Sequence, residues 1–233
     1  MNTNTNTKSA RGSDEKIRTM VAVAVFTALA YVCCVVFHFR LSFLSFDLKD
    51  AVMAVGAMFF GPVYGFAMVI LVAFIEMVTI GTTGFYGFIM NVISSSFFVC
   101  VCSLVYKHNR TMKGAVIGMA SSIFSMTAAM MVANILITPY YMGVETEAVI
   151  DMIPTLLFPF NLTKAIFNAS IAFILYKPMS TALKRSGFIK SSDAKDVGSY
   201  RPSLAGLIVP LVIAVGSMLF FFLALEGTFS FVS

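Results

Sequence analysis

The chain has 233 residues, of which 59% are hydrophobic and only 12% charged, with a mean hydropathy of +0.90 and a formal net charge of +5. Soluble domains carry about 25% charged residues, so this composition excludes an ordinary soluble fold and defines an integral membrane protein. The positive charge is no nucleic-acid signal, because Lys and Arg gather in alternate loops, and Cys33, Cys34, Cys100 and Cys102 lie in apolar runs with no His beside them, reading as buried, reduced and non-catalytic thiols.

The Asn/Thr-rich residues 1–16 are too poor in apolar groups to build a core and are expected to be disordered. Ile17 to Phe37 is the first span. It is expected to stay in the membrane rather than be a cleaved leader. Ala24 and Ala28, with Ala22 and Ala30 close by, make a small-residue face that lets another helix approach, within the chain or outside it. The stretch HFRLSFLSFDLK alternates aromatic and polar residues and reads as a loop lying over the bundle. Asp50 to Phe60 is about half the length that a roughly 30 Å core demands. Gly61-Pro62 breaks it before a full span, Val63 to Ile80, which carries Glu76 near its far end.

The turn GTTGFYG leads into Phe85 to Tyr106, with Asn91 near its start. Ser94, Ser95 and Ser96 in this helix have no base beside them and read as packing. After the basic loop KHNRTMK, Gly114 to Thr138 is a span that carries Asn134 and is expected to stop at Pro139. YYMGVETEAVID reads as an acidic loop. Pro154 then opens the segment LLFPFNLTKAIFNASIAFILY, Leu156 to Tyr176. Helical spacing puts Asn161, Lys164 and Asn168 on one face as a polar stripe. A Lys at the centre of a spanning helix costs about 2.5–3.5 kcal/mol on insertion scales, so it is expected to face the bundle interior or a wet cavity. Snorkelling to an interface, or a structural pair with Glu76, are the alternatives. A polar, basic segment follows Lys177-Pro178, with 186–203 as a cytoplasmic linker, and Leu204 to Leu225 is a last apolar span.

Counting Lys and Arg by alternate loops puts thirteen on one side and only Arg40 and Lys49 on the other. The positive-inside bias then predicts a cytoplasmic N-terminus and, over seven spans, an extracellular C-terminus. In that orientation Glu76, Asn91, Asn134, Asn161 and Lys164, from four helices, converge in the outer leaflet beneath the loops at 38–49, 80–87 and 140–153. One-sided polarity of this kind predicts a site entered from outside rather than a continuous channel.

The chain has no GxxxxGK[ST] phosphate loop and no HExxH motif. His38 and His108 fall on opposite sides of the membrane, so no shared metal site or catalytic dyad is expected. Nor is there a matched pair of interrupted helices of the kind that inverted-repeat transporters show.

The segments SFDLKDAV, FFGPVYG, MVANILITPYYMGV and LLFPFNLTKAIFNASIAFILYKP resemble the substrate-binding S components of energy-coupling factor vitamin transporters, in particular the riboflavin-specific branch. The resemblance covers about residues 17–185 and implies a six-helix membrane bundle with a vitamin pocket near its outer face. It implies riboflavin as transported ligand, no cofactor and no enzymatic activity. Its implied partners are a transmembrane coupling subunit and two cytoplasmic ATPases. Asn134, Asn161 and Lys164 match ligand contacts of that branch, Phe46, Asp47 and Leu48 a capping loop, and Ala24 and Ala28 the face that meets the coupling subunit. Where related sequences carry a Lys-Asn pair in the third helix, this chain has Val72 and Ala73, with Glu76 a turn later. That leaves phosphorylated flavins and other vitamins open as ligands, and a membrane enzyme or scaffold using Glu76 and Lys164 as a different class.

The expected architecture is therefore an all-α membrane protein: a six-helix S-component-like bundle over 17–185 plus one additional transmembrane helix over 204–225.

Overall fold

The computed structural model describes residues 4–41, 44–188 and 204–229. Helix α1 runs Asn4–Val36, followed by strands β1, Phe39–Leu41, and β2, Leu44–Phe46. Then come α2 Lys49–Phe60, α3 Pro62–Thr79, α4 Gly84–His108, α5 Met112–Met142, α6 Thr146–Met152, a π-helical turn Ile153–Leu157, α7 Phe158–Arg185 and α8 Leu204–Phe229. Six helical stretches are long and apolar enough to cross a membrane: Lys16–Val36, Pro62–Thr79, Gly84–His108, Met112–Met142, Thr146–Arg185 and Gly206–Leu223.

Helix α2 is the exception and the centre. Its 12 residues span about 18 Å at the helical rise, too short to cross a bilayer, and every residue from Lys49 to Met58 is buried. It packs against α1, α3, α4 and α7. Small side chains make room for this: Ala51, Ala54, Gly56 and Ala57 let four helices close around one. Gly61 ends α2 at φ 100° and its N–H bonds the Ala57 carbonyl, after which Pro62 opens α3. The predicted GP turn is thus present, and its geometry is one that Gly alone adopts at low cost.

Several boundaries differ from expectation. The first helix begins at Asn4, so most of the stretch expected to be disordered continues α1. The loop expected at 38–49 is in part an antiparallel hairpin, with Phe39 opposite Phe46 and Leu41 opposite Leu44, so the fold is nearly all-helical rather than all-α. Neither Pro139 nor Pro178 stops its helix: α5 runs on to Met142 and ends at the left-handed Gly143, and α7 runs on to Arg185. The acidic loop is largely helical too, because α6 and the π turn lead directly into α7. Pro154 and Pro159 each lack the N–H that would bond one turn back, and the chain between them adopts the wider π hydrogen bonding. Of the expected linker 186–203, residues 189–203 lie outside the described residues.

The main core lies along α2, with Phe26, Met68, Phe98, Met126 and Tyr176 among its members. A second apolar cluster sits at the hairpin end, made of Leu44, Phe46, Val149, Leu157, Phe160 and Phe221. The hairpin therefore packs onto the bundle against α6, α7 and α8.

Candidate functional site

Directly after β2 the chain turns inward and buries three charged residues within four positions, Asp47, Lys49 and Asp50. The Lys49 ammonium donates to Asp47 Oδ2 at 3.0 Å, to Glu76 Oε2 at 2.7 Å and to Asn91 Oδ1 at 3.4 Å. From α7, the Lys164 ammonium donates to the same Asp47 Oδ2 at 3.0 Å and to the Ser45 carbonyl at 3.1 Å. Two lysines thus face two carboxylates, with Asp47 shared between them. Burial alone would push the Asp47 carboxyl up, but the Lys164 and Lys49 ammoniums beside it outweigh that and hold it well below the usual carboxylate range. Asn168 completes the arrangement. Its amide donates to the Asp47 and Lys164 carbonyls, and its oxygen accepts from the Ala51 N–H. Ser95 donates to the Asp50 carboxylate, tying α4 to α2.

Beside this cluster lies a cavity of about 80 Å³. Asn91, Ser94, Asn134, Thr138, Asn161 and Lys164 supply its polar lining, with Met90, Met130, Ile137 and Phe160 among its apolar walls. Tyr86 and Tyr141 stand at its rim, ring centroids 6.1 Å apart. Asn134 donates to the Met130 carbonyl and accepts from Thr138, while Asn161 donates to the Leu157 carbonyl. Each Asn amide has two donors and an acceptor. Among the described residues the Asn161 oxygen, one Asn134 N–H, the Asn91 amide nitrogen and one Lys164 N–H are left over for a guest.

The structure therefore brings Asn91, Asn134, Asn161 and Lys164 together around one cavity. The other expected site residues are placed differently. Glu76 lines a smaller neighbouring cavity of about 30 Å³ and pairs with Lys49, not with Lys164. Asp47 is fully buried behind the cavity wall, where it holds both lysines. Phe46 packs edge-on to Phe160 and Phe167, and Leu48 is half-buried and lines neither of these cavities. Lys164 is 4% exposed, which rules out snorkelling. Ala24 and Ala28 are exposed on α1, so packing within the chain does not account for them, whereas Ala22 and Ala30 are buried.

Sequence reasoning missed Lys49, counted as an outer-loop charge although it is 1% exposed. It also missed that Ser94 borders the cavity. The expectation that no His stands beside the cysteines needs correcting as well. Cys34, His38 and Glu76 place their ligand atoms within 4.8 Å of one another. The Lys49 ammonium already takes a cation's place on Glu76, so a metal ion there would meet a like charge beside it.

The fold and this cavity define a membrane-embedded binding bundle with convergent polar groups and apolar walls. Residues 18–179 match the family model described as the ECF transporter, substrate-specific component, and the chain belongs to that family. A solved structure, reported as the S component of a bacterial ECF transporter, superposes with a TM-score of 0.62 at 21% identity, over 73% of this chain and 99% of that one. A comparison with curated protein sequences finds no match. The protein is thus a substrate-binding membrane subunit of an energy-coupling factor transporter, a family of transport components and not of enzymes, whose members partner with the ECF membrane and ATPase modules.

Proposed function

We propose that this subunit captures riboflavin from outside the cell and delivers it inward within an ATP-driven complex. The observation that carries the reading is the neutral, amide-rich cavity. Asn91, Asn134 and Asn161 offer donors and an acceptor to a flat ring edge with amide-like groups, and the Lys164 N–H can reach hydroxyls of a ribityl chain. The apolar walls suit an aromatic ring system. Both lysines are already matched by Asp47 and Glu76, which favours an uncharged guest over a phosphorylated flavin. A phosphate would need a cation that is not already committed.

The cavity is smaller than the roughly 300–1,000 Å³ typical of ligand pockets, so entry of a flavin displaces the hairpin that Lys164 ties down through Ser45. Lys107, Lys177, Lys184 and Arg185 lie towards the opposite ends of helices that line the cavity, and Arg110 lies in the turn that joins α4 to α5. This supports a cytoplasmic N-terminus, an extracellular cavity and an extracellular C-terminus. Ala24 and Ala28 form the small-residue face for the coupling subunit.

Titrating the purified protein into riboflavin tests the proposal. Flavin fluorescence quenches to saturation, Lys164→Ala weakens binding far more than Lys177→Ala, and flavin mononucleotide competes poorly. Absence of quenching with the unmodified chain overturns it.

A further inference from the structure

Helix α8 is strongly apolar, yet over its described side chains it buries only one stripe. Pro210, Ala214, Ser217 and Phe221 are buried, at spacings of four, three and four, whereas Leu211, Val212, Val215, Phe220 and Phe222 are exposed. A helix that served only as a lipid-facing anchor has no reason to keep one face this closely packed. That face meets α7 at two residues interleaved with the polar stripe. Thr163 Oγ1 donates to the Ser217 carbonyl at 3.3 Å, and the Phe160 and Phe221 rings meet edge-on at 5.6 Å. Asn161 follows Phe160, and Lys164 follows Thr163. Successive helical positions are about 100° apart, so whatever presses on Phe160 and Thr163 sets how α7 turns Asn161 and Lys164 towards the cavity.

Phe160 also carries the contact onward. It borders the cavity and meets Phe46 of β2 at 6.3 Å, and Phe46 in turn meets Phe167 at 5.0 Å. An unbroken row of aromatic rings thus joins α8, α7 and the hairpin that covers the site. The family model ends at residue 179, so this support comes from beyond the shared domain.

We infer that Phe221 is a positioning residue for the binding site. Through Phe160 and Phe46 it fixes the rotation of α7 and holds the hairpin against the bundle, and α8 is a working part of the receptor. Its binding readout rests on the riboflavin reading above; its exchange readout does not.

The test compares the full chain with Phe221→Ala, Phe221→Leu and the outward-facing control Val212→Ala, whose residue is 62% exposed. Hydrogen exchange is followed by mass spectrometry in detergent without ligand. Loss of one aromatic contact predicts about tenfold faster exchange over Leu44–Asp47 and Phe158–Lys164 in Phe221→Ala. Helix α4 is unchanged, Phe221→Leu restores most of the protection, and Val212→Ala matches the parent. Riboflavin dissociates about tenfold faster from Phe221→Ala on the same grounds. Unchanged exchange in the hairpin, or an equal rise across the whole bundle, overturns the inference. If the parent chain does not quench riboflavin, the ligand reading fails while the exchange comparison still decides the role of Phe221.

Discussion

Asp47 is the residue on which the site closes. It accepts from two buried ammoniums, one reaching from the start of α2 and one from the second turn of α7, so a single carboxylate joins the hairpin end of the chain to the ligand-facing helix. Removing one member of a buried ionic group leaves its partner charged and unpaired, at about 3–5 kcal/mol. Lys49→Met should therefore lower stability by about that amount. Adding Glu76→Gln should recover much of the loss, as measured by chemical denaturation in detergent. Because the Asp47 carboxyl is held below its ordinary range in the folded chain, its contribution is present above the usual carboxylate pKa of about 3.9 and is lost as pH falls through the lower folded value. Thermal stability should thus be flat in this respect from neutral pH down to about pH 5, declining only in stronger acid.

Asn134, Asn161 and Lys164 were legible because an amide or ammonium inside an apolar run has no inexpensive alternative to facing a cavity. Asp47 and Lys49 were not legible in the same way. They follow a polar stretch, where charge ordinarily means solvent, and only the inward turn after β2 reveals that they are buried.

Among the elements, α2 and its turn depend most on small residues. At Gly61 an added Cβ meets nothing within 4 Å, so the cost of Gly61→Ala is backbone strain alone, about 1–3 kcal/mol at φ 100° and ψ 166°. Gly65 is the opposite case. A Cβ there would lie 2.6 Å from the Ala57 Cβ and 3.0 Å from Val99, so Gly65→Leu should wedge α3 from α2 and cost more than Gly61→Ala. Both comparisons are read from unfolding midpoints in detergent. The GP turn could be anticipated because Gly and Pro act there through local dihedrals. Pro139 was misleading as a stop signal, and α7 likewise continues through Pro178, since in a membrane a terminated helix exposes polar backbone to hydrocarbon and continuing through the proline costs less. Phe39 and Leu41 lie two apart, as do Leu44 and Phe46, a period-two spacing within each strand. It signals strands, and the shortness of the stretch concealed it.

At the scale of the whole molecule, polarity is concentrated at one end and basic charge at the other. Residues 18–179 carry the family fold, and α8 adds a further wall behind α7. Composition made the membrane class plain, and the spacing of polar groups made the shared cavity plain. The ring contacts linking α8 to the hairpin arise from tertiary packing and leave no periodic trace apart from the buried stripe on α8.

The central claim is that the amide-lined cavity holds an uncharged flavin. Mass spectrometry of the small molecule released from the purified protein addresses it most directly. The account predicts riboflavin, at close to one per chain and depleted in Asn161→Ala and Lys164→Ala. A phosphorylated flavin, an unrelated vitamin at comparable occupancy, or riboflavin retained equally by both variants would contradict it.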